Sequence, residues 1–234
     1  MTASPSSEIP VPPPPGAVTY AIGDVHGCLA KVVALIERCR HHCDGRTSRL
    51  VFVGDYIDRG PDSRGVIELL MTAQRERPDQ VICLRGNHEA MMLAAVRTGD
   101  DVLWLLNGAS STLRSYGVEH PGELPREHVE WVAALPHSFD DGQRYFVHAG
   151  VDPAVALDRQ TEHARLWIRE PFLSSTRDYG RLIVHGHTPM TNGLPDLRPN
   201  RLNIDTAAVF GGPLTAAVFS DAATAPVGFL TDLA

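Results

Sequence analysis

The chain predicts an α/β fold, a two-sheet sandwich with a β-α-β-α-β core flanked by helices. Two observations carry this expectation. Strand-like and helix-like segments alternate through the N-terminal part with a period of about 30 residues, which fits parallel strands joined by crossover helices. Four more strand candidates follow in the C-terminal part, and their short connections predict a second sheet over a shared core.

The elements are justified in order. VTYAIG (18–23) is strand-like and ends on Gly23. LAKVVALIERCR (29–40) carries Leu29, Val32, Val33 and Ile36 at helical spacing. LVFVG (50–54) is the second strand, VIELLMTAQRE (66–76) is the second helix, and Pro78 ends it. VICLRG (81–86) is the third strand, and a Met- and Ala-rich helix follows Glu89. The segment from 100 to 136 reads as helical and carries Trp104 and Trp131. RYFVH (144–148), RLIVHGH (181–187), RLNID (201–205) and LTAAVFS (214–220) supply the later strands.

Residues 1–16 read as a disordered Pro-rich tail, because Pro10 and Pro12 to Pro15 favour polyproline conformation and cannot feed a sheet. Residues 17–234 then form one domain, long enough for a well-buried core. A net charge of -7 argues against a broad nucleic-acid surface. No apolar run approaches the ~18 residues that span a bilayer, so no membrane partner is expected. The first residues have neither the basic start nor the apolar centre of a secretory signal. With four cysteines in a chain of 234 residues, no disulfide scaffold is expected, and a cytoplasmic location follows. CRHHC (39–43) could be read as a zinc site, but one short cluster lacks a second ligand pair; the end of an amphipathic helix, stopped by Gly45, is the expected reading. The oligomeric state is open, with a monomer expected.

Open α/β sheets bind ligands at the carboxyl ends of their strands. After VTYAIG come Asp24, Val25 and His26; after LVFVG come Asp55, Asp58 and Arg59; after VICLRG come Asn87, His88 and Glu89. Gly23, Gly54 and Gly86 precede these groups, where a glycine lets the backbone turn sharply. RYFV delivers His148, and RLIV delivers His185 and His187. A lone histidine at a strand end is ordinarily a structural one, but here the pattern repeats on five strands. Crowded like charges such as Asp55 and Asp58 need an opposite charge between them. Oxygen and nitrogen ligands without thiolate suit manganese, iron or zinc, and their number predicts two divalent ions. Asp24 and His26 would hold one ion, Asn87 and two histidines the other, and Asp55 would bridge. Their surplus positive charge would attract a phosphate dianion and acidify a shared water.

GDVHG, GDYIDRG and GNHE, with FVHAG and VHGHT, resemble the calcineurin-like metallophosphoesterases, and more narrowly the phosphoprotein phosphatase family of serine/threonine phosphatases. WLLNGASSTLRSYG, LWIREPF and NIDTAAVFGG look most like its bacterial and phage branch. The resemblance covers residues 18 to 220 and implies the metallophosphoesterase sandwich. It implies Asp24, His26 and Asp55 on the first metal, and Asp55, Asn87, His148 and His187 on the second, with His185 as the fallback for His187. It also implies His88 as general acid, Asp58 as the carboxylate that orients it, and Arg59 and Arg169 as phosphate clamps. Manganese is the first choice of metal.

The implied activity is removal of phosphate from phosphoserine and phosphothreonine in proteins, by direct attack of a metal-bridging hydroxide. The nearest alternative is hydrolysis of dinucleoside polyphosphates such as diadenosine tetraphosphate. A second is a non-catalytic binding protein on the same scaffold, which missing ligands would favour.

Overall fold

The computed structural model describes residues 8–10 and 16–233. In chain order, β1 (Glu8–Pro10) and β2 (Val18–Ile22) precede α1 (Leu29–Cys43), and β3 (Ser48–Phe52) precedes α2 (Ser63–Glu76). Next come β4 (Val81–Cys83), α3 (Asn87–Thr98), α4 (Val102–Leu106), α5 (Ala109–Tyr116) and α6 (Arg126–Ala134). The C-terminal part holds β5 (Ser138–Asp140), β6 (Arg144–Val147), α7 (Glu162–Trp167), β7 (Leu182–His185), β8 (Asp196–Leu197), β9 (Arg201–Asn203), β10 (Thr215–Ser220) and β11 (Gly228–Thr231).

Two sheets result, of order β11-β10-β2-β3-β4 and β1-β5-β6-β7-β9-β8. β2, β3 and β4 pair in parallel, as the helical crossovers between them require. β6, β7 and β9 are parallel in the second sheet. Strand alternation divides the side chains between layers. Tyr20, Ile22 and Phe52 face the helices, whereas Ala21, Val51 and Val53 face the other sheet. The layer between the sheets is closed by Phe139, Phe146 and Phe219, with Phe146 stacked on Phe139 and edge-on to Phe219.

Three expectations change. LTAAVFS does not join the second sheet: β10 lies antiparallel beside β2 in the first, pairing Ala217 with Ala21. A connection's length does not say which edge a strand will meet. The unstructured tail does not hold over 8–10, because β1 lies parallel to β5. Pro10 is compatible with that strand because β1 is an edge. The rest of the tail, 1–7 and 11–15, lies outside the described residues. α2 and α3 also begin earlier than the apolar pattern indicates, whereas α1 begins at Leu29 as expected. Asp62 caps α2 by accepting from the Gly65 amide (2.8 Å), and α3 starts at Asn87 itself.

α1 runs through CRHHC. Cys39 and Cys43 are buried in the core while His41 and His42 are exposed, so the four groups do not converge on one ion. No helix among the described residues is long and apolar enough to cross a membrane.

Phe146→Ala should cost about 3–5 kcal/mol, since it empties the fully buried centre between the sheets. Val33→Ala, at a position 45% exposed on α1, should stay within about 0.5 kcal/mol. Urea unfolding of both variants checks the contrast.

Candidate active site

Among the described residues, seven non-glycines have positive φ. Five of them are candidate site residues: His26 (44°), Asp55 (54°), Asp58 (73°), Arg59 (67°) and His187 (66°). Backbone strain of this kind persists only where surrounding contacts enforce it. At Asp55 the enforcing group is Glu89, fully buried in the first turn of α3. Its carboxylate accepts from the amides of Asp55 (2.9 Å), Tyr56 (2.8 Å) and Gly86 (2.9 Å). It therefore organises the turn after β3 and caps α3. Gly86 must be glycine because a Cβ there would run into the Asp55 carboxylate and amide.

The strand ends bring predicted ligands together with His88, the expected acid. His26, Asp55 and His88 form one buried group, and Asp55, His148 and His187 another, with ligating atoms in each within 4.8 Å of one another. Asp55 belongs to both. Asn87 Oδ1 faces His148 Nε2 (2.8 Å) and His187 Nδ1 (2.9 Å). Asp24 is buried beside them, and both its oxygens accept from the His187 amide (3.1 and 3.2 Å). His185 is placed elsewhere: its ring lies edge-on to Phe172, and Nδ1 faces the Gly186 carbonyl.

The donor set fits divalent cations. His26 Nδ1 donates to the Ile57 carbonyl (2.9 Å) and His148 Nδ1 to the Val53 carbonyl (3.1 Å), which leaves a lone pair on each Nε2. His148 Nε2 nevertheless faces Asp55 Oδ1 at 3.4 Å as well as the Asn87 carbonyl oxygen. Acceptors that converge in this way match a cation between them. His26 Nε2 accepts from Arg59 Nη1 (2.6 Å) through the lone pair that a metal would take.

Electrostatics agree. Burial holds His26 at about 3 and His187 at about 2, so both imidazoles stay neutral and able to ligate. Burial pushes Asp55 up, but His148, His88, His26 and His187 together outweigh it and hold the carboxyl below the usual carboxylate range. Asp24 is raised well above that range, first by burial and then by Asp205 and Asp55. Such crowding of buried carboxylates is relieved by positive charge.

His88 belongs to the first of the two groups, with its Nε2 3.9 Å from Asp55 Oδ2. Burial lowers its basicity, but Asp55 and a hydrogen bond to Asp58 outweigh that, and the net shift is upward. His88 Nδ1 donates to Asp58 Oδ2 (2.6 Å). Asp58 is held in turn by Trp104 Nε1 (2.8 Å) on Oδ2 and Thr112 Oγ1 (2.7 Å) on Oδ1. Its amide donates to Thr112 Oγ1 (2.9 Å) and Ser63 Oγ (3.1 Å). Arg59 and Arg169 are exposed and line a cavity of about 170 Å³ with Asp55, Asn87, His88 and His187. Arg169 donates to the His187 carbonyl (3.5 Å).

Several participants lie in WLLNGASSTLRSYG, LWIREPF and NIDTAAVFGG but have no role assigned from the sequence. Trp104 and Thr112 position Asp58 from segments about 50 residues away. Asn107, Trp167 and Phe210 complete the cavity wall. Asp205, buried after β9, adds a third carboxyl to the centre and is raised to about 6, mainly by burial. The repeated pattern of a polar residue after each strand could have flagged Asp205 in RLNID. WLLNGASSTLRSYG contains Trp104 and Thr112, but nothing local ties either to Asp58.

Residues 18–215 match the model of the calcineurin-like phosphoesterases. The chain belongs to that family. It is 34% identical over 209 residues to serine/threonine-protein phosphatase 1 of Salmonella typhimurium, covering 85% of this chain and 90% of the relative. It is 30% identical over 233 residues to the asymmetrical bis(5'-nucleosyl)-tetraphosphatase PrpE of Geobacillus thermodenitrificans, covering 88% and 92%. Among solved structures, a chain provisionally described as a diadenosine tetraphosphatase superposes with a TM-score of 0.72 at 23% identity, covering 97% of each chain. This calcineurin-like phosphoesterase is accordingly a metal-dependent hydrolase of phosphate esters or anhydrides, with a site suited to two ions.

The two histidines of VHGHT give a direct test of the centre. His187→Ala should lose one metal per chain in elemental analysis, while His185→Ala should retain both, since its ring packs against Phe172. Loss of metal from His185→Ala instead would place the second ion differently.

Proposed function

We propose that this phosphoesterase removes phosphate from phosphoserine and phosphothreonine in proteins. The observation that carries the reading is the buried His88–Asp58 pair beside the ligand cluster. A serine or threonine alkoxide is a poor leaving group and needs a proton as it departs. A phosphate leaving group, as in a dinucleoside polyphosphate, needs one far less. The similarity to the Salmonella typhimurium phosphatase over nearly the whole chain supports the same reading.

Asp24, His26, Asp55, Asn87, His148 and His187 are the residues that would hold two ions. Bound there, divalent metals supply Lewis-acid charge and acidify water. Three histidine nitrogens among six side chains favour manganese over the harder magnesium. Arg59 and Arg169 supply planar guanidinium donors that grip phosphate oxygens from the open side of the cavity. His88, hydrogen-bonded through Nδ1 to Asp58, presents Nε2 to the site and delivers its proton to the departing oxygen. Asp58 orients that ring and stabilises its protonated form, and is itself immobilised by Trp104 and Thr112. All four cysteines are free, which supports action in a reducing compartment such as the cytoplasm.

Dinucleoside tetraphosphate hydrolysis is the second reading, favoured by the likeness to the PrpE tetraphosphatase along the full chain. A substrate panel separates the two. Enzyme stripped by chelator and reloaded with manganese should hydrolyse phosphoserine and phosphothreonine peptides with higher kcat/KM than diadenosine tetraphosphate, and magnesium should restore less. The reverse substrate ranking overturns the protein-phosphatase reading.

His88→Asn tests the acid. Both metals should stay bound while kcat on a phosphoserine peptide falls by about 10²–10⁴-fold. The loss on p-nitrophenyl phosphate should be smaller, because nitrophenolate leaves without help. Equal losses on both substrates would remove His88 from that role.

A further inference from the structure

We propose that Lys31 is a positioning residue for Arg59 that acts through Phe210, an inference that rests on the reading of Arg59 as a phosphate clamp. Lys31 lies in the first turn of α1. A cation there works against the helix macrodipole, and no acidic residue in that turn offsets it. Its charge is used across the fold instead. Nζ donates to the carbonyls of Ala208 (3.0 Å) and Gly212 (2.5 Å), in the connection between β9 and β10. It also faces Asp232 Oδ2 at 4.0 Å, just after β11.

The two carbonyls bracket Phe210. Inside this connection the hydrogen bonds are local: the amides of Phe210 (2.9 Å) and Gly212 (3.1 Å) both donate to the Ala207 carbonyl. They close the turn on itself without fixing where it sits. Ala208, packed in the core, and Lys31, gripping the turn on either side of Phe210, tie it to the rest of the molecule. Asp232 is held in its own right. Its Oδ1 accepts from the Leu214 amide (2.6 Å), and its amide donates to the Leu214 carbonyl (3.1 Å). The ammonium therefore joins α1, the turn and the end of the chain through charge-assisted contacts.

Phe210 matters to the site through what it touches. Its ring is 65% exposed, lines the cavity with Arg59, and has its centre 5.6 Å from the Arg59 guanidinium carbon. An exposed ring is placed by its backbone more than by packing. A guanidinium resting on an aromatic face loses side-chain freedom yet keeps N–H groups free for phosphate oxygens. Release of the turn would leave Arg59 its charge but not its direction. The consequence is weaker grip on phosphate rather than slower chemistry.

The test is kinetic and uses p-nitrophenyl phosphate, so that it does not depend on the natural leaving group. With the manganese-loaded full chain, Lys31→Met should raise KM and the inhibition constant of inorganic phosphate together by about 2- to 10-fold, the worth of a cation–π pair. kcat should change by less than about 2-fold, as when binding common to ground and transition state is lost. Lys31→Arg, which keeps a charged donor, should recover most of the loss. Phe210→Ala should match Lys31→Met, and the double variant should be no worse than Phe210→Ala alone. Losses that add in the double variant, an unchanged phosphate inhibition constant in Lys31→Met, or a lower metal content than the parent in elemental analysis would overturn the proposal. Lys31→Gln, which keeps an amide donor without the charge, takes the place of Lys31→Met if that variant shows no cooperative unfolding in urea. Arg59→Met separates the two levels. If it leaves the phosphate inhibition constant unchanged, the clamp reading itself fails; if it weakens phosphate while Lys31→Met and Phe210→Ala do not, only the positioning role fails.

Discussion

The Asp55 carboxylate is the constraint around which the rest of the molecule is arranged. It is buried at the end of a central strand and shared by both groups of metal-binding side chains. The amide of His88, in the first turn of α3, donates to its Oδ1 (3.1 Å), so the helix N-terminus helps to hold the charge. Its backbone is pinned in a left-handed conformation by Glu89, and Gly86 makes room for its oxygens. A carboxylate buried among acceptors is costly unless positive charge meets it. Divalent cations held by this cluster would therefore stabilise the local fold as well as supply chemistry.

Precision at the centre comes from rigid elements rather than from the loops alone. Each ligand follows a strand whose side chains are packed between sheets or under helices, so a shift of one ligand would require a shift of the core. The His88–Asp58 pair has its own support. Asp58 receives Trp104 and Thr112 from the helical insertion between the two sheets, which ties that insertion to the chemistry instead of leaving it as cover. The same short helix thus presents one residue to that pair and its remaining side chains to solvent.

Relatives named for protein dephosphorylation and for dinucleoside tetraphosphate cleavage share this architecture for a physical reason. In the proposed reading the metal ligands and the arginines would engage the phosphoryl group, which is common to both substrate classes. What differs between the substrates is the leaving group and everything beyond it. Under the proposed reading, selectivity falls to His88, which lies within GNHE, and to the part of the cavity wall outside the three motifs, namely Asn107, Trp167 and Phe210.

The sequence by itself determined the βαβαβ half, the second sheet through β6, β7 and β9, and the side chains that gather at the strand ends. Those features depend on local period and on repetition after each strand, and both survive in one dimension. It also separated the buried cysteines of CRHHC from a metal site. The tertiary structure alone decided that β10 pairs with β2, that β1 adds an edge beside β5, and that Trp104, Thr112 and Asp205 belong to the centre. It also placed His187 in the ligand cluster and His185 against Phe172. Strand alternation would give these two histidines the same face. The chain instead leaves β7 at His185, and a left-handed turn at His187 aims that ring into the site. Such a turn is enforced by contacts from distant segments, and no local pattern of residues records them.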